Sequence, residues 1–366
     1  MNWKLAVLII TGGLIVIGMT AATLGPKGVL QSPDPREIHL RNIRQLTFGR
    51  QNAEAYFSFD GTKLIFQSTN NWMDDSVASS QAASHGGLPC YQMYVMDPES
   101  GTIRLVSTGT GVTTCGYFFP GDRRVLYSST HLSGPNCPPK PKREGRYRWA
   151  LDDYDIFSTK LDGQHVQRLT ATLGYDAEAT VSPNGKTIVF TSVRDGDLDL
   201  YTMNLDGTNV RRLTDEIGYD GGAFFSPDSQ LIVYRASHPT GSTDIEQYLD
   251  LLHQHLVEPG QLEIFIMKAD GTGRRQVTKN GFSNFAPSFH PDGRRIIFSS
   301  NQTGSASEFH LYLIGDDGLS LERLTFSGRF NSFPMFSPDG KRLVWVSDRL
   351  AATTGEFNVF IADWEP

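Results

Sequence analysis

The chain has 366 residues, a formal charge of −7, 20% charged residues and 11% aromatic ones. With an acidic balance and no basic stripe it excludes a nucleic-acid partner, since phosphate binding needs clustered Lys and Arg. Gly at 36 and Pro at 19 suit a folded chain with many tight turns and exclude a disordered one.

Residues 5–24 form an uncharged, largely apolar run behind Met1 to Lys4. At about 1.5 Å per helical residue it spans the ~30 Å hydrocarbon layer. Residues 1–24 therefore read as a hydrophobic helix, either a cleaved signal peptide or a membrane anchor. Lys4 on the short side leaves the rest of the chain outside the cytoplasm. The expected location is exported, periplasmic or extracytoplasmic, tethered to the inner membrane if residues 5–24 are kept. Residues 25–41, with Pro26, Pro33 and Pro35 among polar neighbours, read as a linker.

From 42 to 364 one unit repeats. Its cleanest copy, 174–214, holds four short runs rich in Val, Ile, Thr and Tyr, separated by Gly-bearing turns, the pattern of four antiparallel strands. The turn SPNG at 182–185 has counterparts in SFDG at 58–61, FPGD at 119–122, SPDS at 226–229, HPDG at 290–293 and SPDG at 337–340. The closing RLT at 212–214 recurs at 168–170 and 323–325, as QVT at 276–278 and LVST at 105–108, and as RQLT at 44–47 before the first turn. Such repeats predict an all-β fold, a six-bladed propeller of four-stranded antiparallel blades. The chain opens on a fourth strand without its first three and ends on three without a fourth. The N-terminal strand is thus expected to close blade six and remove the free sheet edges.

The succession of LT, an F-SPDG turn and a D-x-Y…DG pair resembles the repeats of the TolB-like propeller family of bacterial envelopes. It also resembles the propellers of prolyl oligopeptidase-type peptidases. The resemblance implies an exported binding or interaction module.

Three insertions, 69–89, 131–152 and 236–261, all fall between the second and third strands of their blades, so they crowd onto one face, where function is expected. In the third, Thr243 and Glu246 form a capping-box pattern. Ile245, Tyr248, Leu249, Leu252 and Leu256 share a helical face, predicting a short helix over the channel mouth. Cys90, Cys115 and Cys137 allow one disulfide in an oxidising compartment, and the near-face positions favour Cys90 with Cys137.

Aligning the copies on the Pro of the SPDG turn brings two columns to the entrance of the first strand. Seven residues before it stand Asn52, Thr113, Asp176, Asp220, Asn284 and Asn331; five before it stand Glu54, Cys115, Glu178, Gly222, Ala286 and Phe333. Glu54, Asp176, Glu178 and Asp220 thus form a candidate acidic ligand site, with Arg194, Arg235, His131 and His238 arriving from the second strands. Carboxylates about 6 Å apart repel by roughly 3 kcal/mol at an effective dielectric near 20. The arginines, raised pKa values or a bound divalent cation, Ca²⁺ or another, are the alternatives that offset this, the four carboxylates being the candidate metal ligands. Asp195, Asp197 and Asp199 read either as half a calcium loop or as a hairpin.

No G-x-S-x-G, H-E-x-x-H or Walker motif occurs, and Cys115 reads as structural rather than as a nucleophile served by His131. The expected function is binding of a protein, peptide or glycan at the insertion-bearing face, with the membrane as a second partner if the helix is uncleaved. The alternative is a propeller enzyme, a polysaccharide lyase or hydrolase, with a polar site at the channel mouth that holds a metal in one version of that reading.

Overall fold

The computed structural model describes residues 28–70, 72, 90–142, 147–303 and 305–366. The run expected to form a hydrophobic N-terminal helix and most of the first insertion lie outside the described residues. No helix among the described residues is long and apolar enough to cross a membrane.

Six sheets of antiparallel strands form the blades, five of them in chain order from the centre outward. Their innermost strands are Asn52–Phe57, Thr113–Phe118, Asp176–Val181, Tyr219–Phe225, Asn284–Phe289 and Asn331–Phe336. Blade six is completed by Leu40–Gln45, which pairs antiparallel with Asn358–Trp364 in the register Leu40 to Trp364 and Gln45 to Phe360. The closure expected from the repeat phase is therefore present. It reaches further than expected, because Val29–Leu30, within the stretch read as linker, adds a fifth strand against Arg44 and Gln45. Glu37 of the same stretch is buried, paired with Arg349 at 2.9 Å and accepting the Phe326 and Ser327 N–H groups. Those bonds fix residues 28–41 to blade six.

The repeated residues have mechanical roles. A hydroxyl from each RLT-type ending accepts the N–H of the third strand: Thr47 from Val359, Ser107 from Met93, Thr170 from Ile156, Thr214 from Leu200, Thr278 from Ile264 and Thr325 from Leu311, all at 2.8–3.0 Å. The short fourth strand cannot satisfy that donor, so the side chain replaces a ladder bond. In the SPDG turns the Ser hydroxyl accepts an N–H beyond the turn, as Ser182 does from Thr187 at 3.0 Å. Two copies place another residue where the others have Gly. There, Asp122 accepts the Phe59 and Asp60 N–H groups, and Ser229 accepts that of Asn184, so each holds a neighbouring blade's turn.

The alternating apolar residues of adjacent blades interlock to make the core. Leu126 and Ile156 of blade two meet Ile188 and Phe190 of blade three, and Ile297 and Leu311 of blade five meet Trp345 and Phe360 of blade six.

The insertions are tied together. Cys90 and Cys137 form a disulfide that joins blade one to the second insertion and leaves Cys115 free, as their positions favoured. Trp149–Ala150 of the second insertion pairs antiparallel with Leu256–Val257 of the third, and Arg148 meets Glu258 at 2.8 Å. The expected helix, α1, runs Ser242–His253, but Gly241 is its N-cap and no side chain caps it, so the Thr243–Glu246 box does not form.

Candidate functional site

Every innermost strand carries a β-bulge at one place, two residues on it facing one on the second strand. The residue five before the Pro column sits there in the left-handed region in all six blades: Glu54, Cys115, Glu178, Gly222, Ala286 and Phe333, with φ between 50° and 59°. For a non-glycine residue this conformation costs roughly 1–2 kcal/mol. Because all six blades share it, the strain belongs to the scaffold.

The bulge shifts the in–out phase of the strand. Above it, the residues eight before the Pro column face the centre: Gln51, Val112, Tyr175, Tyr219, Ser283 and Phe330. Below it, Tyr56, Tyr117 and Phe224 close the channel, with ring centroids 5.2–6.1 Å apart. Between them lies a blind cavity of about 720 Å³. Phe285, Phe309, Phe330, Phe333 and Phe357 wall one side, Tyr91, Tyr154, Tyr175 and Tyr219 the other, and Pro138 to Lys142 with Tyr147 to Asp152 of the second insertion cap it. The cap is this insertion and not α1, which packs outside through Tyr248 and Leu252, the Tyr248 hydroxyl donating to Asp197 and, at 2.8 Å, to the Gly218 carbonyl.

Glu54, Cys115, Glu178, Arg235 and Phe333 separate the cavity from a small void of about 30 Å³, and so form its floor. Glu178 accepts from Thr191 and the Gly222 N–H, each at 2.9 Å, from the Tyr219 hydroxyl at 3.0 Å and from Arg235. Arg235 also donates to the Tyr219 oxygen at 2.7 and 2.9 Å and lies 5.2 Å from the Trp149 ring centre. Gly221 and Gly222 make room: a Cβ would lie 2.5 Å from the Glu178 carboxylate at the first and 2.8 Å from the Arg235 guanidinium at the second. Burial lifts the Glu54 carboxyl to about 7, the Glu178 charge adding to the effect while Cys115 and Arg235 oppose it. Burial, then the Glu54 and Glu178 charges, push the Cys115 thiol well up.

Of the candidates from sequence, Glu54, Glu178 and Arg235 meet here. Asp176 and Asp220 stand on the other side of their strands, because strict alternation does not survive the bulge. Asp176 accepts from Arg194 at 2.9 Å inside blade three, and Asp220 faces His238 at 3.2 Å inside blade four, each keeping one buried oxygen without a partner. His131 packs on Phe157 at 4.4 Å. The four carboxylates therefore do not converge, and among the described residues no three His, Cys, Asp or Glu side chains gather as a metal site requires. Asp195, Asp197 and Asp199 are likewise engaged separately, with Tyr201, with Leu198 and Gly218, and with Arg212.

Sequence reasoning missed the aromatic walls and Trp149. Tyr175 and Tyr219 had a signal in the repeated G-Y-D at 174–176 and 218–220, where the tyrosine, not the aspartate, faces inward.

A ring of six antiparallel blades, closed by Leu40–Gln45 and capped on one face, defines a six-bladed β-propeller. More particularly, the chain belongs to the TolB beta propeller domain family, whose pattern matches residues 149–251 and 237–365. Over 43 residues it is 44% identical to the dipeptidyl-peptidase 5 of Porphyromonas gingivalis, a match to 12% of this chain and only 6% of that protein. The structure of a putative TolB from Agrobacterium tumefaciens superimposes with a TM-score of 0.56 at 18% identity, covering 87% of this chain and 91% of that one. An oligogalacturonate lyase in complex with manganese does so with a TM-score of 0.50 at 14% identity, covering 93% and 97%. At these identities the likeness to the solved structures shows the fold alone.

Proposed function

We propose that the protein is a binding module that takes part of a protein, peptide or glycan ligand into the capped cavity, in the extracytoplasmic setting that the apolar N-terminal run and the TolB family suggest. The observation that carries this reading is the cavity itself: blind, about 720 Å³, aromatic-walled, and roofed by an insertion tied on both sides. Sites of this size with apolar walls and a few placed polar groups suit small ligands or the tip of a larger one. Glu178, Arg235 and Tyr219 engage one another fully, which suits a rigid recognition floor better than a group that must exchange protons in a reaction.

The test uses Trp149, which lines the cavity. Peptide and oligosaccharide libraries are screened for binding to the full chain, and hits are titrated while tryptophan emission is followed. A genuine cavity ligand changes the emission of the wild type and not of Trp149→Phe. Hits that bind equally well yet leave the Trp149 signal untouched would place the site elsewhere and defeat the proposal.

A further inference from the structure

We propose that the cavity recognises a cationic amine, seated against Glu54 and enclosed by aromatic faces. This rests on the reading of the cavity as a ligand site. The floor holds two carboxylates, Glu54 and Glu178, and one guanidinium, Arg235. Arg235 is committed: it donates to Glu178 and to Tyr219, and Trp149 covers it. Glu54 occupies the matching position of blade one without such a partner. Its hydrogen-bonding neighbour is the neutral Cys115, and among the described residues no Lys, Arg or His nitrogen lies within ion-pair distance of it. With both acids ionised the floor carries one uncompensated negative charge (two minus one).

That charge faces a chamber whose walls suit a cation. Tyr91, Tyr154, Tyr175, Trp149 and Phe333 line it, and aromatic faces attract ammonium groups through their quadrupoles, more strongly where water is excluded. An anion would find no comparable partner on the floor. Lys140, Lys142 and Arg148 do line the cavity, but the lysines are exposed on the capping insertion, where solvent and salt weaken their pull, and Arg148 is paired with Glu258 at 2.8 Å. The groups facing Glu54 from the neighbouring elements are Cys115, Glu178, Arg235, Tyr56, Tyr91 and Tyr154. Of these only Arg235 is positive, so an incoming ammonium supplies what the site lacks. Because burial holds the Glu54 carboxyl at about 7, an ammonium beside it favours ionisation, and binding near pH 6 releases a proton.

The shared chemistry is a primary ammonium beside an apolar group, whether a free amine or a peptide N-terminus. The test is calorimetric titration of the full chain with 2-phenylethylamine, 2-phenylethanol and 3-phenylpropanoate at pH 8 and pH 6. The amine should bind about tenfold or more tighter than the alcohol at pH 8, with a smaller margin at pH 6. Glu54→Gln should erase the margin, and Glu54→Asp, which keeps the charge, should retain it. Phenylalanylalanine amide and its N-acetyl form separate the sources: loss of binding on acetylation points to peptide ends, binding of the small amine alone to free amines. Equal or tighter binding of the alcohol or the propanoate overturns the amine assignment while sparing the cavity. If none of the probes binds, the amine assignment falls, while the cavity reading is decided by the Trp149 titration.

Discussion

Glu54 and Glu178 hold the same position in blades one and three, each in a left-handed bulge on the cavity floor, yet their surroundings differ. Around Glu178 the protein supplies an arginine, a tyrosine, a threonine and a backbone N–H. Around Glu54 it supplies the thiol and backbone N–H of Cys115 and aromatic walls, with Arg235 acting only through its field. Two acids with identical backbone settings thus reach opposite states, one held as part of an ion pair and the other pushed toward neutrality by burial. The repeat sets where an acid stands, and the adjacent blades decide what it does there.

Arg235→Met breaks the comparison most severely, by leaving Glu178 buried without its counter-charge. We expect a loss of about 3–5 kcal/mol, measured from the denaturant midpoint. A loss below about 1 kcal/mol would mean that Tyr219 and the backbone N–H suffice alone.

Glu54→Gln should act in the opposite direction and with pH. A buried acid raised from its ordinary 4.5 to about 7 binds its proton more tightly folded than unfolded. Its destabilising effect is absent below pH 4.5, grows as the unfolded chain ionises first, and levels off above pH 7. The variant should match the wild type at pH 4 and exceed it by on the order of 2–3 kcal/mol at pH 8. Parallel stability curves for the two proteins across that window would show that Glu54 titrates normally.

Thr191→Val is the gentlest probe. The hydroxyl is buried and donates to Glu178 at 2.9 Å, so its removal should cost about 1 kcal/mol. In an Arg235→Met background the cost should rise, because the bond then supports an unpaired charge; additivity would argue that the groups do not act together.

How much of this was legible in the sequence follows from the bulge. The SPDG turns and RLT endings could be read because each does a local job, Ser182 on its own turn and Thr214 on its own blade. The disulfide could be read because Cys90 and Cys137 lie at insertions on one face. The walls could not, since counting by twos from Asp176 to Glu178 places both inward, whereas the bulge between Ala177 and Thr180 turns only Glu178 to the centre. Trp149 was beyond reach for another reason. It arrives from an insertion with no register in the repeat, and its place is set by pairing with Val257 more than a hundred residues away.

The pairing of Leu40–Gln45 with Asn358–Trp364 also bears on how the chain comes into being. Blades one to five can each complete themselves from contiguous sequence, in the order in which they emerge during synthesis. Until Asn358–Trp364 is made, the early strand is paired only with Val29–Leu30 and its other edge stays open. Ring closure joins residues more than three hundred positions apart, a non-local contact of the kind that forms slowly. A chain halted a few residues short of Trp364 would carry nearly all of its blades and still be unable to lock them.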